Sequence, residues 1–426
     1  MNVRKLVFNL VDKLTGNLVT EHYQDIKHKM SQIYKGKIDM RERVEDFLGY
    51  AVKNTTFYNK FADKKFHDLP IISKDFLKNN YQAFFSKKYE QNQLVKTTTS
   101  GSYGTPFTYY LTPSKKKRQQ AEVIYFGKQA NYEVGVKHAY IRVTDSKSKL
   151  KLFLQNELLI DPTNMNRNWF ETYRNKLKNG YKVIIGYPST LTALARYCIE
   201  KGDTSNDFSI EGIITTAEPL YKEQQEIIEK LFNCSVSNRY STEEFGVLAN
   251  SCKEGNLHIN QATFYIEVLD ININREVEPG EVGRIVVTDL YSHALPLIRY
   301  DIGDLGIYAD KCTCGFNGKT LLKILGREVE TIYDTNSNPV SPFAINGAMR
   351  DIDEVLQFQF IQKEKFKYNL IIVPLKPFTE EIKNEINERF LNILGRDAKI
   401  SLHIKNDIPP LKSGKRPYIM QEYKII

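Results

Sequence analysis

The stretch between residues 182 and 240 constrains this chain more than any other, because short apolar runs alternate there with amphipathic helices. Lys182-Val183-Ile184-Ile185 ends at Gly186-Tyr187-Pro188, and a helical pattern follows with Leu191, Leu194, Ala195 and Cys198 on one face. Gly212-Ile213-Ile214-Thr215 ends at Thr216-Ala217-Glu218-Pro219, and a second helical pattern carries Ile227, Ile228 and Leu231. A third run, Ser235-Val236-Ser237, ends at Asn238-Arg239-Tyr240. Strand, helix, strand, helix, strand is the signature of a parallel sheet with right-handed crossovers. Ligands of open parallel sheets bind beyond the carboxyl ends of the strands. That rule puts Tyr187, Ala217-Glu218-Pro219 and Tyr240 through Glu244 along one rim.

The flanking regions read differently. The first hundred residues form helices with lysine-rich faces and no recognisable site. Past residue 260 the pattern turns antiparallel, with strands at 264–270 and 283–288 separated by the turn Glu278-Pro279-Gly280. After Gly326-Arg327 the chain starts again, with strands near 357–362, 368–374 and 399–404. A helix from Thr379 turns Ile382, Ile386, Phe390 and Ile393 inward. A length of 426 residues exceeds what one core serves. The expected fold is α/β: a large N-terminal domain, 1–326, with a parallel βαβ core and added antiparallel strands, and a small C-terminal α+β domain, 327–426.

Composition narrows the setting. No stretch is apolar for long enough to span a bilayer, and charges interrupt the N-terminus where a signal peptide needs an apolar core. A cytoplasmic location follows as the expectation. Five cysteines, an odd number, fit reduced thiols or a metal site better than a disulfide framework. The net charge of +9 suits an anionic partner, but no aromatic-plus-basic spacing marks a nucleic-acid module. The densest basic run, Lys115 to Arg118, reads as a solvated helix start.

The strongest local motif is Thr97-Thr98-Thr99-Ser100-Gly101-Ser102-Tyr103-Gly104-Thr105-Pro106. Its glycines allow close backbone approach, and its hydroxyls and N–H groups make a nest for phosphate oxygens. It is not a Walker A loop, since no Lys-Ser or Lys-Thr follows the second glycine. Two further runs stand downstream: Pro279-Gly280-Glu281-Val282-Gly283-Arg284 through Asp289-Leu290, and Leu295-Pro296-Leu297-Ile298-Arg299-Tyr300-Asp301-Ile302-Gly303-Asp304.

Together these motifs, in this order, resemble the adenylate-forming superfamily, and within it the phenylacetate–CoA ligase-like branch that includes capsular polysaccharide biosynthesis proteins. The resemblance runs from about residue 95 to the C-terminus. It implies that Thr98, Thr99, Ser100, Gly101, Ser102, Gly104 and Thr105 orient the β- and γ-phosphates of ATP, and that Ala217, Glu218 and Pro219 line the adenine. Tyr240-Ser241-Thr242-Glu243-Glu244 resembles the motif whose tyrosine packs on adenine and whose last glutamate binds Mg²⁺; Glu244 takes that role because Phe245-Gly246 follows it. Asp304 matches the ribose-binding aspartate, Arg327 the arginine at the domain junction, and Lys415 the C-terminal catalytic lysine. Glu243, and Val329 two residues after Arg327, depart from the family pattern.

The chemistry agrees with these assignments. A carboxylate attacking the α-phosphate brings two anions together, so the site must supply positive charge. Mg²⁺ at Glu244 and the Lys415 ammonium would supply it without a protein nucleophile. The implied reaction makes an acyl-adenylate from a small carboxylic acid, then transfers the acyl group to coenzyme A, a carrier protein, or an amine or hydroxyl. Tyr125, Tyr140 and Tyr187 are candidates for the acid pocket. A catalytically degenerate nucleotide-binding or interaction protein of the same fold is the alternative. Cys252, His258, Cys312 and Cys314 form a separate set. They read either as a complete structural zinc site, which some members of the branch carry, or as four unrelated residues on two loops.

Overall fold

The computed structural model describes residues 2–98, 108–143, 147–327, 332–340, 342–411 and 414–423, excluding the side chains of Arg327 and Phe343. It divides into two compact units: Met1–Gly135 with Ser237–Ile324, and Val136–Val236 with Leu325–Ile426.

The first unit opens with helices Val3–Leu14, Leu18–Tyr34 and Met40–Asn54, as the helical reading of the first hundred residues expects. Its strands run, neighbour by neighbour, Phe264–Leu269, Val282–Asp289, Tyr300–Ala309, Thr320–Arg327, Leu257–Ile259, Gly246–Ser251 and Val236–Thr242. The first two, placed in the sequence at 264–270 and 283–288, pair antiparallel from Phe264↔Asp289 to Leu269↔Arg284. Their apolar face contributes Phe264, Ile266, Ile285 and Val287 to a core completed by Phe57 and Phe84, whose rings stack 4.1 Å apart.

The helix Pro113–Gly127 corrects one expectation. Its basic start is not a solvated face, because Lys115 and Arg118 are buried. Lys115 Nζ lies 2.7 Å from an Asp289 carboxylate oxygen, and Arg118 donates to Asp25 at 2.8 Å, to the Thr263 hydroxyl and to the Ala262 carbonyl. Positions 115, 118, 119 and 122 share one helix face, and that face meets acids and carbonyls from elsewhere in the unit. Burial of a charge is tolerable only with such partners. Sequence reading sees the charges but not the partners, which lie up to 174 residues away.

The second unit carries the parallel sheet. Val183–Gly186 pairs in parallel with Gly212–Thr216 on one side and His138–Ile141 on the other, with Glu157–Ile160 beyond. Pro188 sits in the first turn of the helix Pro188–Glu200, where its missing N–H costs nothing, and Leu191, Leu194, Ala195 and Cys198 are buried. The C-terminal segment forms the sheet Lys399–Ile404, Lys367–Pro374, Val355–Glu364, Ile419–Gln421. Its helix Glu380–Leu394 is capped by Thr379 and buries Ile386 and Phe390, with Ile382 and Ile393 packed alongside. The strand Ile419–Gln421, read as loop from sequence, pairs in parallel with Phe360–Gln362; three residues are too few for a periodic signal. This segment is tied to the parallel-sheet part of its own unit. Arg196 donates to the Ile352 and Val355 carbonyls, and Glu223 accepts from Asn346 at 2.8 Å and from Arg350 Nε at 3.0 Å. Among the described residues, no helix is long and apolar enough to cross a membrane.

The buried charges give the first unit a defined acid response. His22 contacts Ser114 Oγ at 2.9 Å and Arg118 at 3.4 Å; burial, reinforced by the Arg118 charge, pushes its imidazole down to about 4 from 6.5. Burial of Asp25 acts against its ionisation, but Lys29 and Arg118 outweigh it and hold its carboxyl at about 2, below 3.8. In both cases the unfolded chain binds the proton at higher pH than the folded one, so stability is lost as pH falls. The His22 contribution disappears between pH 6.5 and 4, and that of Asp25 between about 3.8 and 2. Denaturant titrations from pH 7 to 4 should show wild-type stability falling across the first window and a flatter curve for His22→Gln; parallel curves would contradict the assignment.

Candidate functional site

In the first unit, two of the sequence-predicted nucleotide residues meet. Tyr240 Oη donates to Asp304 Oδ2 at 2.6 Å across 64 residues of chain. A bulge explains the position of Asp304. Between Tyr300–Ala309 and Val282–Asp289 the register steps from Asp301↔Val286 to Leu305↔Arg284, so Ile302, Gly303 and Asp304 face a single residue. Gly303 takes φ +76°, and its N–H donates to Asp301 Oδ1 at 2.9 Å, while Arg284 holds Asp301 at 3.1 Å. Bulges of this kind re-aim side chains at ligand sites. Asp304 is left half-buried.

Tyr240 and Ser241 prove to be inside a strand rather than beyond its end. Val236–Thr242 continues through them and folds back antiparallel onto Gly246–Ser251. The return needs Gly246 at φ +101°, where an added Cβ would overlap the Glu122 carboxylate. Glu243 and Glu244 form the turn, the first exposed and the second half-buried. Side chains from the preceding elements fix that turn. Tyr109 donates to the Glu243 carbonyl, Gln119 to the Glu244 carbonyl at 3.5 Å, and Glu122 accepts from Val247 N at 3.1 Å. Burial raises the Tyr109 hydroxyl pKa, and the Glu244 and Glu243 charges add to this, so it stays a protonated donor. Nothing in the sequence around Tyr109 signals this role.

Of the Ser/Thr/Gly loop, Thr98 is described. It closes the antiparallel pair Val95–Thr98 and Thr108–Leu111, with its hydroxyl 3.4 Å from that of Thr108. Thr99, Ser100, Gly101, Ser102, Gly104 and Thr105 lie outside the described residues. Tyr125 packs edge-on against Tyr23, in the cluster under the N-terminal helices.

The second unit gathers Tyr187, Glu218 and Lys415. Ala217 adopts φ +70°, a strained conformation for a residue with a Cβ, directly before Glu218-Pro219. The Glu218 carboxylate accepts from Ser189 N at 3.1 Å and from Arg416 N at 3.0 Å. Burial raises its pKa, while the Ser189 and Arg416 N–H groups and the Lys415 ammonium pull the other way. Arg416 is itself buried and donates to the carbonyls of Ile408 at 2.7 Å and Thr163 at 3.0 Å, and to that of Pro162. Gly414, at φ +82°, lies so close to Val143 and Tyr187 that a Cβ would overlap Val143. Burial, with the Glu218 charge, pushes the Tyr187 hydroxyl up to about 12. Arg416 and Ser189 escape sequence reading because their contribution is main-chain geometry. Arg327 ends the strand Thr320–Arg327.

Cys252, His258, Cys312 and Cys314 converge in the first unit, with their ligand atoms all within 4.8 Å of one another. The Cys252 and Cys312 sulfurs are 3.8 Å apart, and Cys314 Sγ lies 3.2 Å from His258 Nε2. Two tight turns build the set: Gly255 N donates to Cys252 O and Gly315 N to Cys312 O. Burial pushes His258 down to about 4, leaving the imidazole neutral, and its ring stacks on Phe316 at 4.1 Å.

Comparison with known proteins gives concordant likenesses. The family model described as the CapK C-terminal domain matches residues 332–422. Protein CapK of Staphylococcus aureus is 27% identical over 448 aligned residues, covering 98% of this chain and 97% of that protein. The phenylacetate-coenzyme A ligase of Thermus thermophilus is 28% identical over 224 residues, 51% of this chain and 48% of the relative. Among solved structures, a 2-hydroxyisobutyryl-CoA ligase in the postadenylation state superposes with a TM-score of 0.74 at 16% identity, covering 90% of this chain and 89% of that one. ATP-bound MatB from Rhodopseudomonas palustris gives 0.53 at 14% identity, over 77% and 67%. At these identities the solved structures establish a shared fold.

The Glu218 contacts yield a local test. Glu218→Ala strands two buried amides, each costing about 1–3 kcal/mol when unpaired. Hydrogen exchange should accelerate at Ser189 and through 414–416, with overall stability falling; unchanged protection would show that the carboxylate does not hold the loop.

Proposed function

We propose that this chain, which belongs to the adenylate-forming superfamily in its phenylacetate–CoA ligase-like and CapK branch, activates a small carboxylic acid as its acyl-adenylate at the expense of ATP. The observation that carries the reading is the bond from Arg416 N to Glu218, which joins the segment next to Lys415 to the segment assigned to adenine across 198 residues.

In the proposed first step, a substrate carboxylate oxygen attacks the α-phosphorus of ATP. The new O–P bond forms as the bond to the β-phosphate oxygen breaks, and pyrophosphate leaves with the electron pair. Lys415 supplies an ammonium to the oxygens on which charge develops. Asp304 accepts from the two ribose hydroxyls, since a carboxylate has lone pairs for both, and its Tyr240 bond orients it. Thr98 and the loop that follows hold the outer phosphates, and Ala217-Glu218-Pro219 borders the adenine. Glu244, in a turn fixed by Tyr109 and Gln119, is the candidate Mg²⁺ ligand; the ion would neutralise phosphate charge. In the second step a thiol, amine or hydroxyl attacks the acyl carbon and AMP leaves. Coenzyme A is the favoured acceptor, because ligases in this group of relatives are named for it. The part from residue 327 would carry Lys415 away between the steps, with Arg327 at the junction. The capsular polysaccharide branch of the resemblance suggests polysaccharide modification as the setting, and a cytoplasmic location suits the use of ATP.

Carboxylate-dependent exchange of pyrophosphate into ATP, measured over a panel of acids with Mg²⁺, tests the first step. Lys415→Ala should lower the exchange rate by about 100-fold or more while leaving the protein folded, and Asp304→Asn should raise the KM for ATP more than it lowers kcat. Absence of exchange with every acid tested, from folded protein that still binds ATP, would favour the non-catalytic nucleotide-binding reading.

The thiol and imidazole set fits structural zinc. A tetrahedral ion with sulfur at about 2.3 Å separates two sulfurs by about 3.8 Å, which matches the Cys252–Cys312 spacing of 3.8 Å. Three thiolates and a neutral histidine would hold the ion and close the two turns onto each other. Purified protein should contain one zinc per chain by elemental analysis, and Cys314→Ser should lose the metal and lower Tm. Metal-free protein with unchanged Tm in zinc-supplemented buffer would refute the site.

A further inference from the structure

The N-terminal helix Val3–Leu14 takes no part in the proposed chemistry, yet its composition is selective. Val3, Leu6, Val7, Leu10, Val11 and Leu14 are between 46% and 77% exposed. At 100° per residue, five of them (positions 3, 6, 7, 10 and 14) form one stripe, with Val11 at its edge. Arg4 flanks the stripe on one side and Lys13 on the other. The helix's one acid, Asp12, is turned into the protein. It is 3% exposed and accepts from Val19 N at 3.1 Å, Thr20 N at 2.9 Å and the Thr20 hydroxyl at 2.9 Å. The burial of Asp12 works against its ionisation, but the Thr20 and Val19 donors outweigh that and keep it charged.

The inward face is fixed at the other end as well. Asn2 Nδ2 donates to the Val134 carbonyl at 3.0 Å, and Lys5 pairs with Glu133 at 2.6 Å. The helix is therefore docked through Asn2, Lys5 and Asp12 together with one apolar side chain, Phe8, and presents its other six apolar residues outward, the reverse of the usual arrangement. Six exposed apolar side chains are a costly surface unless something covers them.

We infer that this helix seats the protein on an anionic lipid surface. Apolar side chains bordered by arginine and lysine, with the acid withdrawn, match the boundary between acyl chains and negatively charged headgroups. The net charge of +9 adds long-range attraction of the same sign. A second copy of the chain is a poorer occupant. A 12-residue helix is about 18 Å long and about 10 Å wide, so its face offers about 200 Å², against the roughly 800 Å² per partner of a stable dimer.

Sedimentation of the full-length protein with phosphatidylcholine vesicles, with and without phosphatidylglycerol, tests the inference. Binding should require phosphatidylglycerol and weaken with salt. Arg4→Gln with Lys13→Gln should weaken it about thirtyfold, from roughly 1 kcal/mol per basic residue at the surface. Leu6→Ser with Leu10→Ser should abolish it while circular dichroism and pyrophosphate exchange stay unchanged. Because the readout is vesicle binding, it stands or falls independently of the proposed reaction. Folded protein that ignores anionic vesicles at low salt, binds neutral ones equally well, or instead forms a dimer that Leu6→Ser with Leu10→Ser dissociates would overturn it.

Discussion

One half-buried carboxylate organises the second unit. Glu218 follows a strand of the parallel sheet and accepts main-chain N–H groups from two places: the start of the helix after Val183–Gly186 and the residue after Lys415. A carboxylate partly withdrawn from water needs donors aimed at it, and here the donors are backbone groups whose positions the fold dictates. Satisfying Glu218 therefore positions the 414–416 segment at the rim of the sheet. Arg416 completes the arrangement by spending its guanidinium on three carbonyls. The segment that carries the proposed catalytic lysine is thus held through the main chain of its neighbour, Arg416.

The first unit reaches the same end by different means. Its antiparallel sheet carries a bulge at Asp301–Leu305 that brings Asp304 to Tyr240, which itself stands at a register shift between Tyr240 and Ser241. The Glu243-Glu244 turn is fixed from outside by Tyr109, Gln119 and Glu122. Those residues belong to a strand and helix whose other residues, Lys115 and Arg118, are locked to Asp289 and Asp25. Charges that read from the sequence as a solvated helix start are here internal fasteners. The basic character left for the outside is carried elsewhere, as at the flanks of the N-terminal helix.

The parallel strands, the Pro188 helix, the antiparallel pair after residue 260 and the C-terminal α+β segment were legible because each has a period: two for strands, 3.6 for helices, and turn residues between. The motif order made the likeness to adenylate-forming enzymes legible. Aperiodic features were not. The bulge at Ile302–Asp304, the extension of the third strand through Tyr240, the short strand Ile419–Gln421 and the burial of Lys115 and Arg118 depend on partners far away in sequence.

By itself the amino-acid sequence determined which residue types are available and in what order: an acid in a Gly-Asp pair, a lysine in a C-terminal loop, three thiols and an imidazole in two short stretches of chain. Tertiary structure alone decided which of them meet. It brought the four metal-binding candidates within 4.8 Å of one another, hydrogen-bonded Tyr240 to Asp304, and gave Glu218 two amides from remote chain. The reason is physical: local order follows from each residue's own periodicity and turn chemistry, whereas a buried polar group is satisfied only by whatever donor the completed fold delivers to it.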